Sequence, residues 1–355
     1  MTTFYNTPSA GPEAATPLSQ SDGAGATAVL PAKKGKRKRK ITLLLILLLI
    51  FAALFAWYLL NRKPLSELPG LSSTTLPHYE FSIYGSARPL GVASSPDGDR
   101  IYVTASDGDR LVRAYDRAGK QTAILKPPSS TGPSHTPIYV AINPTTQDVY
   151  VSDRIAASIY IYDAKGKYLR TFAPKGSLGK FTPLALAFAP DGTLYASDIH
   201  DGTAKTHRVV SFAPDGTLQR SLGKPGQLNF PNGIAVDSHG NINVTDSGNG
   251  RLVIFNVAGK MLATISRGVG EGDLGLPKGA AIDDSGRLYI ADTTDHMVRV
   301  FTIGASGTTP AYVGSIGGEG QTDATFEYPN GVATDKRAHI YITDRENNRV
   351  QVWGY

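Results

Sequence analysis

The chain has 355 residues, no cysteine and a formal net charge of +6. Disulfide cross-links and thiol catalysis are therefore excluded, and a chain of this length buries a core large enough not to need cross-links. Residues 1–63 hold nine Lys and Arg against two acidic residues, a net charge of +7, whereas the rest holds 27 against 28, a net charge of −1. Because the excess charge lies in the first 63 residues, the remainder lacks a basic surface, and we expect no nucleic-acid partner.

The first 40 residues predict a disordered cytoplasmic tail that ends in a basic run. Residues 1–32 are rich in Ala, Thr, Ser, Pro and Gly without apolar periodicity, which is typical of disorder. The basic residues that follow are Lys33, Lys34, Lys36, Arg37, Lys38, Arg39 and Lys40. Beside an apolar segment, such a run most simply keeps its side of the chain in the cytoplasm. A nuclear localisation signal and a clamp for anionic lipids are the alternatives.

Residues 41–60, ITLLLILLLIFAALFAWYLL, predict one transmembrane helix. They carry no charge, and twenty residues at about 1.5 Å each match the roughly 30 Å of a bilayer core. A cleaved signal peptide is the alternative, but its apolar core is normally shorter and a small-residue cleavage site would follow. We therefore expect a single-pass protein of the cell membrane, with the lipid bilayer as a partner, its N-terminus cytoplasmic and its C-terminal domain outside. Residues 61–78, with three prolines, predict a stalk.

Residues 79–355 consist of six copies of one sequence repeat. Its anchoring prolines, spaced by 46 to 52 residues, are Pro89, Pro137, Pro183, Pro231, Pro277 and Pro329. After each proline come three apolar runs of strand length, rich in β-branched and aromatic residues and separated by turn residues. A fourth short run follows in most copies. The period and the four runs predict that each copy is a four-stranded antiparallel blade of a propeller.

The shortened sixth copy predicts how the ring closes. Only 26 residues follow Pro329, which is enough for three strands. Residues 79–85, YEFSIYG, precede the first copy and resemble the fourth run of the fifth copy, AYVGSIG at 311–317. A strand taken from the other end of the chain would close the ring and protect its edges. The predicted fold is all-β, a six-bladed propeller closed by an N-terminal strand and preceded by one transmembrane helix.

The repeated pattern is Pro-x-Gly-apolar-Ala-x-Asp, then Gly-x-apolar-Tyr-apolar-x-Asp, then Asn-x-Arg-apolar-x-apolar-Phe. It resembles the NHL repeat family, here in a membrane-anchored protein of bacterial type. Copies four and six match it most fully, whereas copy one has Ala105 at the second Asp and copy three has a loop inserted between His200 and His207. The resemblance implies a six-bladed NHL propeller, a fold that often serves as an interaction platform.

Two enzyme families with related propellers also resemble the chain. Residues 344–351, DRENNRVQ, are similar to the DRENGRIQ segment of peptidylglycine amidating lyase, and the blade architecture resembles that of calcium-dependent gluconolactonases. In these families, residues next to the anchoring proline supply metal ligands. Here the corresponding positions are Leu90, Ile138, Leu184, Asn232, Lys278 and Asn330. Because three are apolar and one is a cation, we expect no calcium or zinc site and no cofactor.

The ligand-binding candidates lie on one side of the predicted channel mouth. They are Asn232, Lys278, Asn330 and the loop ends His200 and His207. An Asn at such a position also caps turns, which is the structural alternative.

Five copies carry an aspartate at the end of the second run. These residues are Asp153, Asp198, Asp246, Asp292 and Asp344. Their repetition favours a structural role, as acceptors for turn N–H groups and as partners of Arg251 and Arg349, over a catalytic one. No residue is therefore assigned as catalytic.

The leading functional hypothesis is a membrane-tethered, extracytoplasmic propeller that serves as a binding scaffold for a protein, peptide or glycan. The alternative is a membrane-bound, metal-dependent lyase or hydrolase that uses the channel mouth. A sensor ectodomain is a third hypothesis, disfavoured because the predicted cytoplasmic tail contains no output domain.

Overall fold

The computed structural model describes residues 35–61, 76–129, 135–200, 205–266, 268, 272–304 and 309–355. The chain divides into two compact units, Met1–Ala56 and Trp57–Tyr355. Residues 1–34 of the predicted tail and residues 62–75 of the predicted stalk lie outside the described ranges.

One helix, α1 (Gly35–Asn61), covers the end of the basic run and the uncharged segment. Its apolar side chains are exposed, for instance Leu49 at 68% and Phe51 at 71%. Within the described ranges, no helix combines the length and the apolar character that crossing a membrane requires. The span predicted for residues 41–60 is therefore not confirmed.

The propeller contains six four-stranded antiparallel sheets, as predicted from the repeats. Strand β1 (His78–Tyr84) precedes the first complete blade. Blade one consists of β2 (Pro89–Ser94), β3 (Ile101–Ala105), β4 (Val112–Tyr115) and β5 (Gln121–Leu125), and blade two of β6 (Pro137–Ile142), β7 (Val149–Asp153), β8 (Ser158–Tyr162) and β9 (Tyr168–Thr171). Blade three consists of β10 (Pro183–Phe188), β11 (Leu194–Asp198), β12 (Arg208–Phe212) and β13 (Leu218–Leu222).

Blade four consists of β14 (Pro231–Val236), β15 (Ile242–Asp246), β16 (Arg251–Phe255) and β17 (Met261–Ser266), with a short 3₁₀ turn at Ser247–Asn249. Blade five consists of β18 (Pro277–Ile282), β19 (Arg287–Asp292), β20 (Met297–Thr302) and β21 (Ala311–Gly317). Blade six consists of β22 (Pro329–Thr334), β23 (Ile340–Asp344), β24 (Arg349–Gly354) and β1.

The outer strand of blade six comes from the start of the propeller. Strand β1 pairs antiparallel with β24, from His78 opposite Gly354 to Tyr84 opposite Arg349. Ile83 of β1 joins a core cluster that contains residues of both blade six and blade one. The packing therefore continues from the last sheet to the first, and β24 has a partner along the edge that three strands alone would leave unpaired.

The innermost strand of each blade is its first strand. Neighbouring first strands contact one another around the channel, including β22 with β2. The second strands are buried along their whole length because neighbouring blades cover both of their faces. This explains why the second run of each repeat is almost entirely apolar.

A hydroxyl on the second strand joins each of several blades to the next. Thr104 Oγ1 accepts a hydrogen bond from Gly91 N at 2.8 Å and donates one to Ile138 O of blade two at 2.8 Å. The same donation to the next blade is made by Ser152 to Leu184 O at 2.7 Å, by Thr343 to Leu90 O at 3.0 Å, and by Thr245 to Lys278 O. Ala291 stands at this position in blade five and has no hydroxyl to donate.

Close approach of neighbouring first strands requires glycine in most blades. A Cβ added at Gly233 would lie 2.2 Å from Lys278 O, so a side chain there would clash with the backbone of blade five. The equivalent glycines are Gly91, Gly279 and Gly331. Blades two and three have Tyr139 and Ala185 at this position instead.

Candidate functional site at the two mouths of the channel

The channel has two different mouths. The proline mouth is the end where the six first strands begin, next to Leu90, Ile138, Leu184, Asn232, Lys278 and Asn330. The turn mouth is the end where those strands finish and turn into the second strands. The sequence placed the candidate site at the proline mouth.

Asn330 lies inside the ring and joins three blades. Its side chain is only 3% exposed. Its Nδ2 donates to Leu90 O at 2.9 Å and lies 3.4 Å from the Tyr139 hydroxyl. Because its amide nitrogen is occupied by these contacts, the structure places Asn330 among the residues that hold blades six, one and two together.

Tyr139 is the partner that the sequence did not single out. It is buried, and it packs in one cluster with first-strand residues of blades two to four, against which Leu90 of blade one also lies. Burial raises the pKa of its hydroxyl above the usual value. A sequence signal existed, since Tyr139 replaces the glycine that four other blades have. The Tyr139 ring therefore packs against apolar residues of blades one to four.

Asn232 forms a local contact. Its Nδ2 donates to Phe230 O at 3.2 Å, two residues before it. This is the turn-capping geometry given above as the alternative to ligand binding.

Lys278 is half-buried, with a charge that nothing compensates in the described part of the chain. Its backbone carbonyl accepts the hydrogen bond from Thr245, which fixes the start of the side chain. Burial, and to a smaller extent the nearby Arg345, lower the pKa of its ammonium from 10.5 to about 8. Among the described residues, no carboxylate pairs with this ammonium and no side chain accepts a hydrogen bond from it.

Arg345 lies in the turn between β23 and β24, at the proline end of blade six, and its charge contributes to the lowered pKa of Lys278. Its Nε lies 3.3 Å from Glu346 Oε1 but is not aligned for a hydrogen bond and is buried. The same carboxylate oxygen lies 2.5 Å from Arg88 Nη2. Two guanidinium groups therefore share one carboxylate, and sequence reasoning missed Arg345 because the proximity arises only when blades five and six pack together.

His200 and His207 make separate contacts at the two ends of the inserted loop. His200 Nδ1 lies 3.1 Å from Asp198 Oδ2. His207 is 1% exposed, its Nδ1 accepts a hydrogen bond from Phe230 N at 3.0 Å, and its ring lies 4.7 Å from the Phe230 ring. Burial lowers the pKa of His207. Since Asn232 also contacts Phe230, His207 and Asn232 share one neighbour, but no contact described in the structure joins either histidine to Lys278 or Asn330.

The contact of His207 is one of three equivalent hydrogen bonds between neighbouring blades. The residues before three anchoring prolines have left-handed backbones, with φ of 43° at Arg88, 48° at Phe230 and 56° at Tyr328. Their N–H groups are accepted by a side chain from the turn of the preceding blade, namely Asn348 Oδ1 at 2.8 Å, His207 Nδ1 at 3.0 Å and His296 Nδ1 at 3.4 Å. These contacts hold a backbone conformation that non-glycine residues rarely adopt.

The repeated aspartates are buried and bonded to backbone. Each accepts an N–H from the loop before its anchoring proline: Asp153 from Thr136, Asp198 from Thr182, Asp246 from Asn229, Asp292 from Leu276 and Asp344 from Glu327. Arginine Nε donates to three of them, from Arg208 to Asp198, Arg251 to Asp246 and Arg349 to Asp344, at 2.7–3.0 Å. These contacts favour the structural interpretation. In the described residues, no group of three His, Asp or Glu side chains is arranged to hold a metal ion.

A cavity of about 680 Å³ lies at the turn mouth, where the sequence predicted no site. Its wall consists of the ends of all six first strands, including Val92, Val140, Phe188, Val236, Ile282 and Val332. Its rim carries Pro96, Pro144 and Pro190 on blades one to three, Asp237, Asp283 and Asp284 on blades four and five, and Lys336 on blade six. Asp237 and Asp283 accept N–H groups of their own turns. The cavity therefore has a wall of mixed apolar and polar surface and a rim that is charged on one side.

A family model described as NHL repeat matches residues 228–255, 274–301 and 326–353. The chain contains NHL repeats. The three matched NHL repeats begin at Leu228, Leu274 and Phe326, each fully buried three residues before the anchoring proline. Blades one and three have Ser86 and Lys180 at this position, which is one way in which they depart from the matched repeats.

Solved propellers share the fold of this chain at low identity. A streptogramin B lyase has 12% identity and a TM-score of 0.54, covering 79% of this chain and 99% of that one. The selenomethionine-substituted virginiamycin B lyase from Staphylococcus aureus has 12% and 0.53, covering 78% and 98%. The nidogen/laminin complex has 18% and 0.50, covering 62% and 78%. These identities show the fold alone, and the search of curated proteins found no match.

Proposed function

We propose that this NHL propeller is a binding scaffold for a protein or peptide, which inserts an apolar side chain into the cavity at the turn mouth. The observation that carries the proposal is the cavity itself. Its volume of about 680 Å³ lies within the roughly 300–1,000 Å³ typical of ligand pockets, and an apolar wall with a few polar groups is their usual lining. A nidogen propeller of similar fold is described in a complex with laminin, which supports a protein ligand.

The rim combines an apolar side with a charged side, as a peptide ligand requires. Three prolines form a rigid apolar border on blades one to three. Asp284 and Lys336 are exposed at the rim. A charged terminus or a charged side chain of a peptide could pair with them there. The apolar part of the wall supplies the binding free energy, and the rim charges orient the ligand.

The proposal is tested by selecting peptides from a displayed random library against the full chain. The Val236→Glu variant places a charge in the cavity wall, where Val236 is half-buried, and it should abolish binding of the selected peptides. Val257→Glu is the matched control, because Val257 belongs to the same blade but is 54% exposed and lies outside the cavity lining. Peptides that bind both variants as well as the original chain would contradict a ligand at the turn mouth.

We further propose that residues 41–60 tether the propeller to a membrane, with the propeller outside the cytoplasm. Three observations support the tether. Residues 41–60 carry no charge, a basic run ends at residue 40, and the apolar side chains of α1 are exposed. The full chain should remain in the membrane pellet after alkaline carbonate extraction and should be cleaved by protease added to intact cells. A deletion of 41–60 should be released. Release of the full chain, or protection of its propeller from protease, would overturn the tether.

A further inference from the structure

The proline mouth carries two cations, Lys278 and Arg345, and among the described residues only Arg345 has a carboxylate nearby. Lys278 is half-buried, and burying an ammonium without a partner is costly in free energy. The side chain starts from a backbone position that is fixed by Thr245. Arg345 lies close enough to lower the pKa of Lys278. Two cations held together in this way need either a carboxylate of the protein or an anion from outside.

The carboxylate next to Arg345 is already shared. Glu346 Oε1 lies 2.5 Å from Arg88 Nη2 and 3.3 Å from Arg345 Nε. Arg88 is further fixed by its backbone N–H, which donates to Asn348 Oδ1 at 2.8 Å. Since one carboxylate faces two guanidinium groups, the charge of Lys278 remains uncompensated among the residues that the structure describes.

We propose that Lys278 and Arg345 bind an oxyanion, the chemistry shared by carboxylates and phosphates, at the proline mouth. The two residues belong to neighbouring blades, and ammonium and guanidinium groups are the side-chain donors that most often bind carboxylates and phosphates. Partial burial strengthens the attraction because water screens the charges less there. A bound anion favours the charged form of Lys278 and therefore raises the pKa of its ammonium.

The oxyanion site is separate from the cavity at the turn mouth. Lys278 and Arg345 lie at the proline end of their blades, and neither of them lines the cavity. The two proposals can therefore fail independently. A variant of Val236 should leave anion binding unchanged, and a variant of Arg345 should leave peptide binding at the turn mouth unchanged.

The test uses the full chain with its lysines dimethylated by ¹³C-formaldehyde, so that each lysine gives a resonance whose pH titration can be followed. Inorganic phosphate and acetate are added separately at constant ionic strength, with chloride as the reference ion. The resonance lost in Lys278→Gln identifies Lys278. We expect its titration midpoint to rise in a saturable way with phosphate, acetate or both, while the exposed Lys260 does not move. The more effective anion identifies the source of the ligand group.

The second arm removes the neighbour. Arg345→Gln should raise the anion concentration needed for half-saturation by about tenfold or more. Arg170 is an exposed arginine on the outer strand of blade two, and Arg170→Gln should leave that concentration unchanged. Preserved chemical-shift dispersion shows that each variant is folded. The proposal would be overturned if chloride raised the pKa of Lys278 as much as phosphate or acetate does, or if the effect of both anions did not saturate. It would also be overturned if a folded Arg345→Gln protein had an unchanged half-saturating anion concentration.

Discussion

The hydroxyl of Tyr139 lies 3.4 Å from the amide nitrogen of Asn330, although 191 residues separate them in the chain. This contact joins blade two to blade six past blade one, whose Leu90 carbonyl accepts from the same amide at 2.9 Å. Most propeller contacts link neighbouring blades. A contact that skips one blade ties the first part of the ring to the last, and its loss should weaken the whole ring.

We predict that Tyr139→Phe lowers the free energy of unfolding by about 0.5–1.5 kcal/mol, because one hydrogen bond is lost while the packing remains. Tyr139→Ala should lower it by about 3–5 kcal/mol, because a cavity forms in the apolar cluster. Urea unfolding of the full chain, followed by tryptophan fluorescence, measures both. Tyr168→Phe is the control, since the Tyr168 hydroxyl bonds Thr171 at an exposed position. Equal effects of Tyr139→Phe and Tyr168→Phe would show that the cross-channel contact contributes nothing.

The number of blades and the origin of the closing strand follow from residues adjacent in sequence, and the repeats predict both. The contact between Tyr139 and Asn330 does not, because it depends on how far apart blades two and six stand once the ring forms. The same holds for Arg345, whose charge affects the pKa of Lys278 only because two blades pack together. The cavity at the turn mouth was missed for a related reason: its wall combines six segments, each of which looks like an ordinary end of a strand.

We predict that Asp246→Ala lowers the free energy of unfolding by about 3–5 kcal/mol. The substitution leaves the half-buried Arg251 and the Asn229 N–H without their buried acceptor, which is the costly way to break such a pair. Thermal unfolding of the full chain measures the effect. Asp215→Ala should leave the midpoint unchanged, because Asp215 is exposed and pairs with an exposed Lys175. An Asp246→Ala protein that kept its thermal midpoint would contradict the structural role of the repeated aspartates.

Asn243 is a buried polar residue that breaks the repeat. It stands where the other second strands have a tyrosine, and neither polar atom of its side chain has a hydrogen-bond partner in the described structure. A buried unpaired polar group costs about 1–3 kcal/mol. We therefore expect Asn243→Val to raise the urea midpoint, whereas Asn241→Val should lower it, because Asn241 donates to Asp237 at 3.1 Å. A destabilised Asn243→Val protein would show that Asn243 has a partner, such as an ordered water molecule.

We predict that His207 makes the stability depend on pH below neutrality. Burial lowers its pKa below 6.5, and its Nδ1 must be unprotonated to accept from Phe230 N. The unfolded chain therefore binds a proton before the folded one does, so stability is complete above pH 6.5 and decreases as the pH falls towards the lowered value. His339 acts in the opposite direction, because its hydrogen bond to Asp335 raises its pKa.

Unfolding measured between pH 5 and 8 in three variants separates this contribution. His207→Asn should reduce the loss of stability at low pH, since Asn348 makes the equivalent contact with Arg88 through an amide oxygen that does not titrate. His339→Asn should leave that loss in place, and His239→Asn serves as the control for an exposed histidine. If His207→Asn leaves the pH profile unchanged, the contact to Phe230 does not depend on the protonation of His207.

Blade five has no hydroxyl at the position from which Thr104 and its equivalents bond to the next blade. Ala291 of blade five occupies the position of Thr104, and a Cβ added at Gly279 would lie 2.5 Å from Asn330 O, much as one at Gly91 would lie 2.6 Å from Ile138 O. The acceptor geometry at the junction of blades five and six thus resembles that at blades one and two. Ala291→Ser should place a hydroxyl within reach of Asn330 O and raise the free energy of unfolding by about 0.5–1.5 kcal/mol.

Two further variants bracket that effect in the same urea experiment. Thr104→Val should destabilise the chain by about 1–3 kcal/mol, because it leaves Gly91 N and Ile138 O without their partner. Ala291→Val, which adds volume without a hydroxyl, should not reproduce the gain of Ala291→Ser, since extra methyl groups overpack a filled core. A gain with valine but not with serine would mean that blade five has an unfilled space rather than a missing hydrogen bond.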